Sequence, residues 1–278
     1  MEAMDSDDYD ETPKRFRSMN EVYQHSHVVT LEPEEDDQED AGSDEQGDAV
    51  EVAALLTVME EPSCFSEAVD DPNWVQAMDS EMQSICKNGT WELATLPPGQ
   101  KTIGLKCLFK LKKNADGEVV KHKARLVAKG YVQQQGVDFD EVFAPVARLD
   151  TIRIILALAA NRGWQVHHLD VKTTFLNGEL EEEVYVAQPE GYVEKGKEKM
   201  VLKLSKALYG LRQAPRAWNV KLDKSLKMLG FSKCASEPAV YKRGIGKNAV
   251  ILGVYVDDLI VTGEDASEID RFKKQMTS

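Results

Sequence analysis

The sequence has little cysteine and no long apolar run, and both shortages restrict the kind of protein it can encode. Its 278 residues include 4 cysteines, and none is in the C-x-x-C spacing typical of zinc or redox sites. We expect reduced, mostly buried thiols in an intracellular protein, located in a cytoplasmic particle or in the nucleus. No run of about 18 apolar residues is present, so a transmembrane helix is not expected. The acidic N-terminus also lacks the apolar core of a signal peptide.

Basic side chains are outnumbered by acidic ones, 34 to 48, but the acidic excess is confined to one end of the chain. The net charge of −14 would ordinarily argue against a nucleic-acid partner. Residues 1–60 carry 19 acidic and 3 basic side chains (−16), which leaves 29 acidic and 31 basic in the other 218 (+2). The first segment also has few large apolar groups with which to offset its ordering entropy. We therefore predict a disordered acidic tail over residues 1–60 and one folded, mildly basic region over residues 61–278.

Helix signals recur along the folded region. Asp71 followed by Pro72 is typical of a helix start, and that helix should end at Asn88-Gly89. The apolar run after Asp150-Thr151 predicts a second, largely buried helix, capped by one of these two residues and ending at Gly163. Pro215 should begin a third helix with a regular apolar stripe.

A cationic β-hairpin is predicted between these helices. Residues 101–130 contain 9 basic and 2 acidic side chains, and the turn signal lies at Asn114–Gly117. Strand alternation places Lys121, Lys123 and Arg125 on one face of the second strand. Two interpretations remain open: a solvated edge strand kept soluble by lysines, or a surface that grips polyphosphate or a nucleic-acid backbone.

Three carboxylates form the most unusual pattern in the sequence. Asp257 and Asp258 lie between two β-branched apolar runs, where a narrow hairpin tip would normally carry Asn-Gly or Asp-Gly. Two adjacent acids oppose each other's ionisation, and a divalent metal could compensate. Asp170 ends another short apolar segment. The alternative to a metal site is that Asp257 and Asp258 lie in an ordinary solvated turn. Alternation lets only one of His167 and His168 share the Asp170 face, and magnesium disfavours imidazole, so neither is assigned as a ligand.

Four segments together resemble the reverse transcriptase of copia-type LTR retrotransposons. They are DFDEVFAPVAR (138–148), LDVKTTFLNG (169–178), LYGLRQAPRAW (208–218) and YVDD (255–258). With two further stretches that resemble the same family, residues 123–130 and residues 61–91, the resemblance covers about residues 61–276. It implies an α+β fold: a right-hand polymerase fingers-palm unit with an antiparallel palm sheet packed on helices. The acidic tail resembles the variable linker between integrase and polymerase in such polyproteins.

The resemblance implies an RNA-directed DNA polymerase that uses deoxynucleoside triphosphates, a primer and an RNA or DNA template. Asp170, Asp257 and Asp258 match its metal-binding carboxylates, and the Val171 carbonyl matches a further ligand for two Mg²⁺ ions. Oxygen ligands suit magnesium, and a paired-metal site can assist an in-line displacement at phosphorus. Such a site predicts that the three carboxyl groups lie within roughly 4–8 Å of one another.

The resemblance also assigns substrate-binding roles. Phe175 matches an aromatic that blocks a ribose 2′-hydroxyl, and Gln213 matches a residue that packs on the incoming nucleotide. Arg125 and Lys123 would contact the triphosphate, and Tyr255 would touch the primer strand. Two of these assignments have alternatives, since Phe175 could be a core residue and Gln213 a residue of a helix-entry loop.

The sequence departs from the family pattern at a few positions. Cys107-Leu108 replaces the usual Trp-Val, and Thr174 replaces the usual Ala; we expect both changes in buried strands, where they would loosen packing. The family continues past residue 278 with more palm, a thumb and an RNase H domain, so we expect this chain alone to hold a primer and template weakly. The alternatives are therefore a non-catalytic remnant that binds nucleotide or nucleic acid, and another palm enzyme such as a cyclase.

Overall fold

In the computed structural model, which describes residues 61–277, the chain forms two units. We call residues 61–144 and 175–221 the hairpin unit, and residues 145–174 and 222–277 the five-stranded unit. The acidic tail predicted over residues 1–60 lies outside the described residues. In chain order the elements are α1 (Phe65–Ala68), α2 (Pro72–Lys87), β1 (Trp91–Ala94), β2 (Leu105–Lys113), β3 (Val119–Ala128), α3 (Leu149–Arg162), β4 (Val166–Asp170), β5 (Glu179–Val186), β6 (Val201–Lys206), α4 (Ala214–Met228), β7 (Ser232–Lys233), β8 (Val240–Arg243), β9 (Val250–Tyr255), β10 (Asp258–Gly263) and α5 (Ala266–Thr277).

The five-stranded unit is built on an antiparallel sheet of strand order β4-β10-β9-β8-β7. Helix α3 packs on β9 and β10, and α5 packs on β10. Gly253 allows the close approach of α3, because a Cβ at this position would lie 2.9 Å from Cδ1 of Ile155. On the other side of the sheet from Gly253, the side chains of Leu252, Leu259 and Val261 are each no more than 1% exposed.

The hairpin unit contains a three-stranded antiparallel sheet of order β1-β6-β5 and the separate β2–β3 hairpin. The hairpin predicted from the sequence, with its turn at Asn114–Gly117, is confirmed. Both outer edges of the hairpin meet a carboxylate: Glu61 accepts the Leu111 N–H at 2.7 Å, and Glu81 accepts the Leu126 N–H at 3.2 Å. These bonds satisfy backbone donors that an open edge strand would leave exposed. Burial raises the pKa of Glu81, although the Leu126 N–H and nearby cationic side chains oppose that shift.

The helix predictions hold in part. Asp71 caps α2 by accepting the Asn73 N–H at 2.8 Å, as predicted. Helix α3 begins at Leu149, so Asp150 lies in its first turn rather than at its N-cap. The expectation that α3 is largely buried is wrong, because Ile154 is 67% exposed. Apolar residues occur on nearly all sides of this helix, so the sequence did not indicate which side is buried. In the structure only one stripe of the helix, which includes Ile155 and Ala159, is buried. Gly163 ends α3 with a φ of 65°, as predicted.

The cysteine prediction needs correction. Cys64 and Cys86 are exposed and the other two are half-buried, so these thiols are not mostly buried. All four are free cysteines. Burial raises the pKa of the Cys107 thiol to about 11, which keeps that group protonated near neutral pH. Within residues 61–277, none of the helices has the length and apolar character needed to cross a membrane.

Candidate functional site

Two of the three predicted carboxylates lie opposite each other on adjacent strands. Strands β4 and β10 are antiparallel, and their register pairs Asp170 with Asp258. Directly opposed residues in such a pair project from the same face, with Cβ atoms about 5 Å apart. The sequence separates the two acids widely, but strand pairing makes them neighbours. We call Asp170, Asp257 and Asp258, with the adjoining Val171, the carboxylate corner.

The third carboxylate lies in the turn between β9 and β10. Tyr255 ends β9 and Asp258 begins β10, so the turn consists of Val256 and Asp257, and only one of the two acids is in it. The Asp257 carbonyl accepts the Val171 N–H at 2.9 Å. This bond fixes the turn against the end of β4. The backbone therefore places the remaining acid of the corner beside the first two.

Backbone strain is concentrated on both sides of that hydrogen bond. Within the described residues, Val256 (φ 54°) and Thr173 (φ 50°) are the non-glycine residues with positive φ. Both are β-branched, and such residues rarely adopt this conformation. Strain of this kind tends to persist at sites where the surrounding structure needs a particular geometry. It marks the corner as an unusual place in the fold, independently of its charges.

His168 shares the open face of the corner and bonds to one of its acids. Its Nε2 atom lies 2.6 Å from Oδ1 of Asp258. This hydrogen bond is the main reason that the pKa of His168 is raised, and the negative charges of the three acids add to it. His167 points to the buried side, where its Nδ1 lies 3.0 Å from Nζ of Lys273. Alternation of side chains along the strand predicted opposite faces for the two histidines. It did not predict the contact between His168 and Asp258.

The Val171 carbonyl, predicted as a metal ligand, already accepts a hydrogen bond. The Thr174 hydroxyl donates to it at 2.6 Å. Thr174 is 2% exposed and lies in a 3-10 turn (Thr174–Asn177), so its expected place in a buried strand is wrong. A carbonyl oxygen has two lone pairs, and one remains available here. Thr174 thus supplies a donor that orients the carbonyl.

The donor set of the corner is the kind that magnesium prefers, namely carboxylate and carbonyl oxygens. Within residues 61–277, however, no group of three or more His, Cys, Asp or Glu side chains is arranged to hold a metal ion as it stands. One oxygen of Asp258 is engaged by His168, so binding a metal there requires that side chain to share or change its partner. The expected spacing of the three carboxyl groups stays a prediction. Tyr255, the predicted primer contact, is opposite Asp258 and 50% exposed.

The β2–β3 hairpin carries a cationic face that is larger than the sequence pattern indicated. Its register pairs Lys110 with Lys123 and Lys112 with Lys121, and Arg125 projects from the same face. Lys110 also lies 3.1 Å from Glu61. Like charges directly opposite each other destabilise a sheet, so two lysine pairs are a poor choice for stability alone. Leu108, beside them, is 43% exposed rather than buried as expected. We use the name cationic face for the five basic residues of this surface: Lys110, Lys112, Lys121, Lys123 and Arg125.

Two of the predicted nucleotide-binding residues meet through a third, which the sequence did not single out. The Arg125 guanidinium lies 4.2 Å from the centre of the Tyr209 ring. The Phe175 ring contacts the same tyrosine edge-on, with 5.2 Å between ring centres. Tyr209 was part of a motif, but nothing in its spacing distinguished it from a core aromatic. All three residues belong to the hairpin unit.

Gln213, in contrast, is occupied by other protein groups. It is 2% exposed; its Oε1 accepts from Nε2 of Gln133 at 3.1 Å, and its Nε2 donates to the Asp138 carbonyl at 3.1 Å. These bonds join the loop before α4 to the loop after β3. The contact with a nucleotide stays a prediction, and the observed role is the alternative, a residue that organises a helix-entry loop.

Comparison with known proteins gives consistent matches. A family described as reverse transcriptase (RNA-dependent DNA polymerase) matches residues 88–278. The chain is 46% identical over 227 residues to the Retrovirus-related Pol polyprotein from transposon TNT 1-94 of Nicotiana tabacum, which covers 80% of this chain and 17% of that protein. It is 43% identical over 215 residues to the Retrovirus-related Pol polyprotein from transposon RE1 of Arabidopsis thaliana, covering 77% of this chain and 15% of that protein.

A shorter relative also matches. The chain is 40% identical over 119 residues to the uncharacterized mitochondrial protein AtMg00820 of Arabidopsis thaliana, which covers 43% of this chain and 70% of that protein. The chain thus spans about a sixth of the length of the two Pol polyproteins.

Proposed function

Because this chain belongs to the reverse transcriptase (RNA-dependent DNA polymerase) family of copia-type retrotransposons, we propose that it forms the nucleotidyl-transferring part of an RNA-directed DNA polymerase. It would add deoxynucleotides to a primer 3′-hydroxyl on an RNA or DNA template. The observation that carries this proposal is the pairing of Asp170 with Asp258 across β4 and β10, with Asp257 bonded to the end of the same strand. In a right-hand polymerase, the five-stranded unit would be palm and the hairpin unit fingers.

A divalent metal is usually needed by this family. Asp170, Asp257, Asp258 and the Val171 carbonyl would hold two Mg²⁺, whose chemistry when bound is activation of the primer hydroxyl and stabilisation of the leaving pyrophosphate. The chain's own contribution is placement. The β4–β10 register fixes two carboxylates on one face, and the Thr174 hydroxyl orients the carbonyl.

Substrate contacts are proposed for both units. Lys123 and Arg125 on the cationic face would bind the triphosphate, and Phe175 would exclude a 2′-hydroxyl. Gln213 would pack on the incoming nucleotide only after exchanging its buried contacts with Gln133 and Asp138. Tyr255, beside the corner on the same face as Asp258, would contact the primer strand. Other parts of the retrotransposon polyprotein are the proposed partners, since the matched relatives are Pol polyproteins much longer than this chain.

Primer extension by the full chain tests the proposal. The assay uses Mg²⁺, deoxynucleoside triphosphates and a DNA primer annealed to RNA, with Asp257→Asn as the matched inactive control. We expect slow extension by the unmodified chain and none by the variant. Extension that Asp257→Asn leaves unchanged would contradict the assignment.

The second candidate is a non-catalytic module that binds nucleotide or nucleic acid. The cationic face favours it, because two opposed lysine pairs can bind a polyanion without any help from the carboxylates. This candidate predicts nucleotide or nucleic-acid binding by the unmodified chain with no primer extension under any metal condition.

A further inference from the structure

The Tyr209 ring connects two side chains that the proposed function places on the incoming nucleotide. The Arg125 guanidinium stacks on its face at 4.2 Å from the ring centre, and Phe175 meets it edge-on at an interplanar angle of 64°. A guanidinium over an aromatic face and an edge-to-face aromatic pair are both attractive arrangements. One ring therefore fixes two groups at once.

The position of Tyr209 is set by its backbone. Its carbonyl accepts the Ala128 N–H at 2.7 Å, which ties it to the end of β3, three residues from Arg125. Gly210 follows with a φ of 86°, and a Cβ there would lie 2.2 Å from the Ala128 carbonyl oxygen. The neighbours Leu208 and Leu211 are 0% and 3% exposed. Buried flanks, a glycine contact and a hydrogen bond hold the ring against β3.

Arg125 gains most from such a fixed ring. A free arginine side chain samples many rotamers, and ordering it on a ligand costs entropy. A guanidinium already stacked in place loses less freedom when it binds a phosphate. Phe175 is also held in place, because Leu176 next to it is fully buried, and its own ring packs on the apolar core and on Tyr209.

Simple core packing does not account for this arrangement. Tyr209 is only half-buried, and the group on its face is a charged guanidinium that also belongs to the cationic face. A core aromatic would be expected to meet apolar groups on both faces. Tyr209 also packs against the apolar core of the hairpin unit, but that packing does not require a guanidinium on the ring, and the contact with Arg125 points to a role in binding.

We propose that Tyr209 is a positioning residue of the nucleotide site, where its ring aligns Arg125 with the triphosphate and Phe175 with the sugar. The inference rests on the proposed function and adds a determinant of sugar selectivity. Removing the ring releases both partners. It therefore weakens triphosphate binding and reduces the preference for a deoxyribose over a ribose.

The test measures binding of dATP and of ATP to the full chain in the presence of Mg²⁺, for the unmodified protein, Tyr209→Phe and Tyr209→Ala. Tyr209→Phe keeps the ring, so both affinities should stay within about twofold. Tyr209→Ala should weaken dATP binding by about fivefold or more and lower the dATP-to-ATP preference. Tyr131→Ala, which removes an exposed tyrosine of the same unit, is the matched control and should change neither value.

Several outcomes would overturn the inference. Unchanged affinities in Tyr209→Ala would do so, and so would an equal loss for both nucleotides, which would indicate a purely structural role. If Tyr209→Ala does not fold, Tyr209→Leu replaces it, because leucine fills the apolar space but cannot stack on a guanidinium. Failure of the unmodified chain to bind any nucleotide would instead reject the proposed function, and this inference with it.

Discussion

The carboxylate corner and the cationic face are built by different means, and the difference shows how a fold can place charge. In the corner, residues distant in sequence meet because β4 and β10 pair in a fixed register. In the hairpin, residues close in sequence share a face because side chains alternate along two short strands. The corner lies on a sheet with a buried apolar layer and has a residue with positive φ on each side of it. The hairpin is a two-stranded ribbon, and each of its outer edges donates one backbone N–H to a carboxylate, Glu61 or Glu81.

Both regions also place like charges together, which opposes folding unless a ligand or partner compensates. The corner gathers three acids, and His168 supplies one compensating contact. The cationic face opposes lysine to lysine, and Glu61 supplies one compensating contact. Each region is therefore expected to respond to ligands of opposite charge, cations for the corner and phosphates for the hairpin. The predictions below separate these two responses.

The largest effect is expected at the corner. Asp170→Asn removes a charge that no other residue on β4 can replace, and we expect primer extension to fall by about a thousandfold or more. Extension rates are measured on an RNA template with Mg²⁺. Glu264→Gln is the control, because it neutralises an exposed acid just beyond the end of β10. A comparable loss in the control would mean that general charge, rather than the corner, governs the rate.

The attachment of the hairpin depends on Gly210. Gly210→Ala adds a Cβ that would lie 2.2 Å from the Ala128 carbonyl oxygen, at a φ of 86°. We expect a loss of about 3 kcal/mol in the free energy of unfolding, measured by urea denaturation. Gly99→Ala has a nearly identical φ of 83° in open space and isolates the backbone cost, which should be about 1 kcal/mol. Equal losses would show that the close approach to β3 carries no weight.

An intermediate effect is expected within the five-stranded unit at Asp223. Burial alone would raise the pKa of this carboxyl, but hydrogen bonds from Lys227, Lys233 and Tyr241 outweigh it and lower the pKa to about 2. Because the folded pKa is below the unfolded one, the carboxylate contributes stability above about pH 4 that is lost as the pH falls towards about 2.

Asp223→Asn should therefore cost about 2 kcal/mol in the free energy of unfolding at pH 7. It should also flatten the dependence of stability on pH between about pH 4 and pH 2, measured by chemical denaturation across that range. Asp150→Asn, which removes an acid that is 85% exposed, serves as the control. A variant whose pH profile matches that of the unmodified chain would show that the three hydrogen bonds do not favour the charged form.

The smallest effect is expected on the cationic face, where one change should raise stability and weaken nucleic-acid binding. Replacing Lys112 and Lys121 by glutamine removes one like-charge pair, which should raise the free energy of unfolding by about 0.5 kcal/mol. The same change should weaken binding of single-stranded DNA and reduce the salt dependence of that binding by about 1.4 in the logarithmic slope. Glutamine at Lys195 and Lys199, which are exposed lysines outside the hairpin, should change neither quantity. Loss of stability without loss of binding would reject a polyanion role.

The local elements of the fold were predictable because short-range signals determine them. Asp71-Pro72 marked the start of α2, Gly163 the end of α3, and alternation identified the hairpin. The residues that face each other across two strands were harder to predict, because the register of strand pairing depends on packing in other parts of the fold. The lysines of β2 were thus not assigned to the face of Lys123, and the depth of α3 was overestimated from composition alone.

At the corner, the sequence indicated which acids belong together but not how they are held. The pairing of Asp170 with Asp258, the bond from Val171 to Asp257 and the contact of His168 are all products of tertiary structure. The positive φ of Val256 could not be anticipated either, because valine disfavours it and the surrounding bonds impose it. Tyr209 was missed for a similar reason, since its role depends on partners from two other segments.

The central claim, that the acids of β4 and of the β9–β10 turn form one divalent-cation site, can be tested directly by Mn²⁺ titration followed by electron paramagnetic resonance. Mn²⁺ substitutes for Mg²⁺ at oxygen-rich sites and gives a readout that needs no catalysis. We predict site-bound Mn²⁺ in the unmodified chain, strengthened by a deoxynucleoside triphosphate and lost in both Asp170→Asn and Asp257→Asn. Bound Mn²⁺ that survives in either variant, or none in the unmodified chain with nucleotide present, would contradict the account.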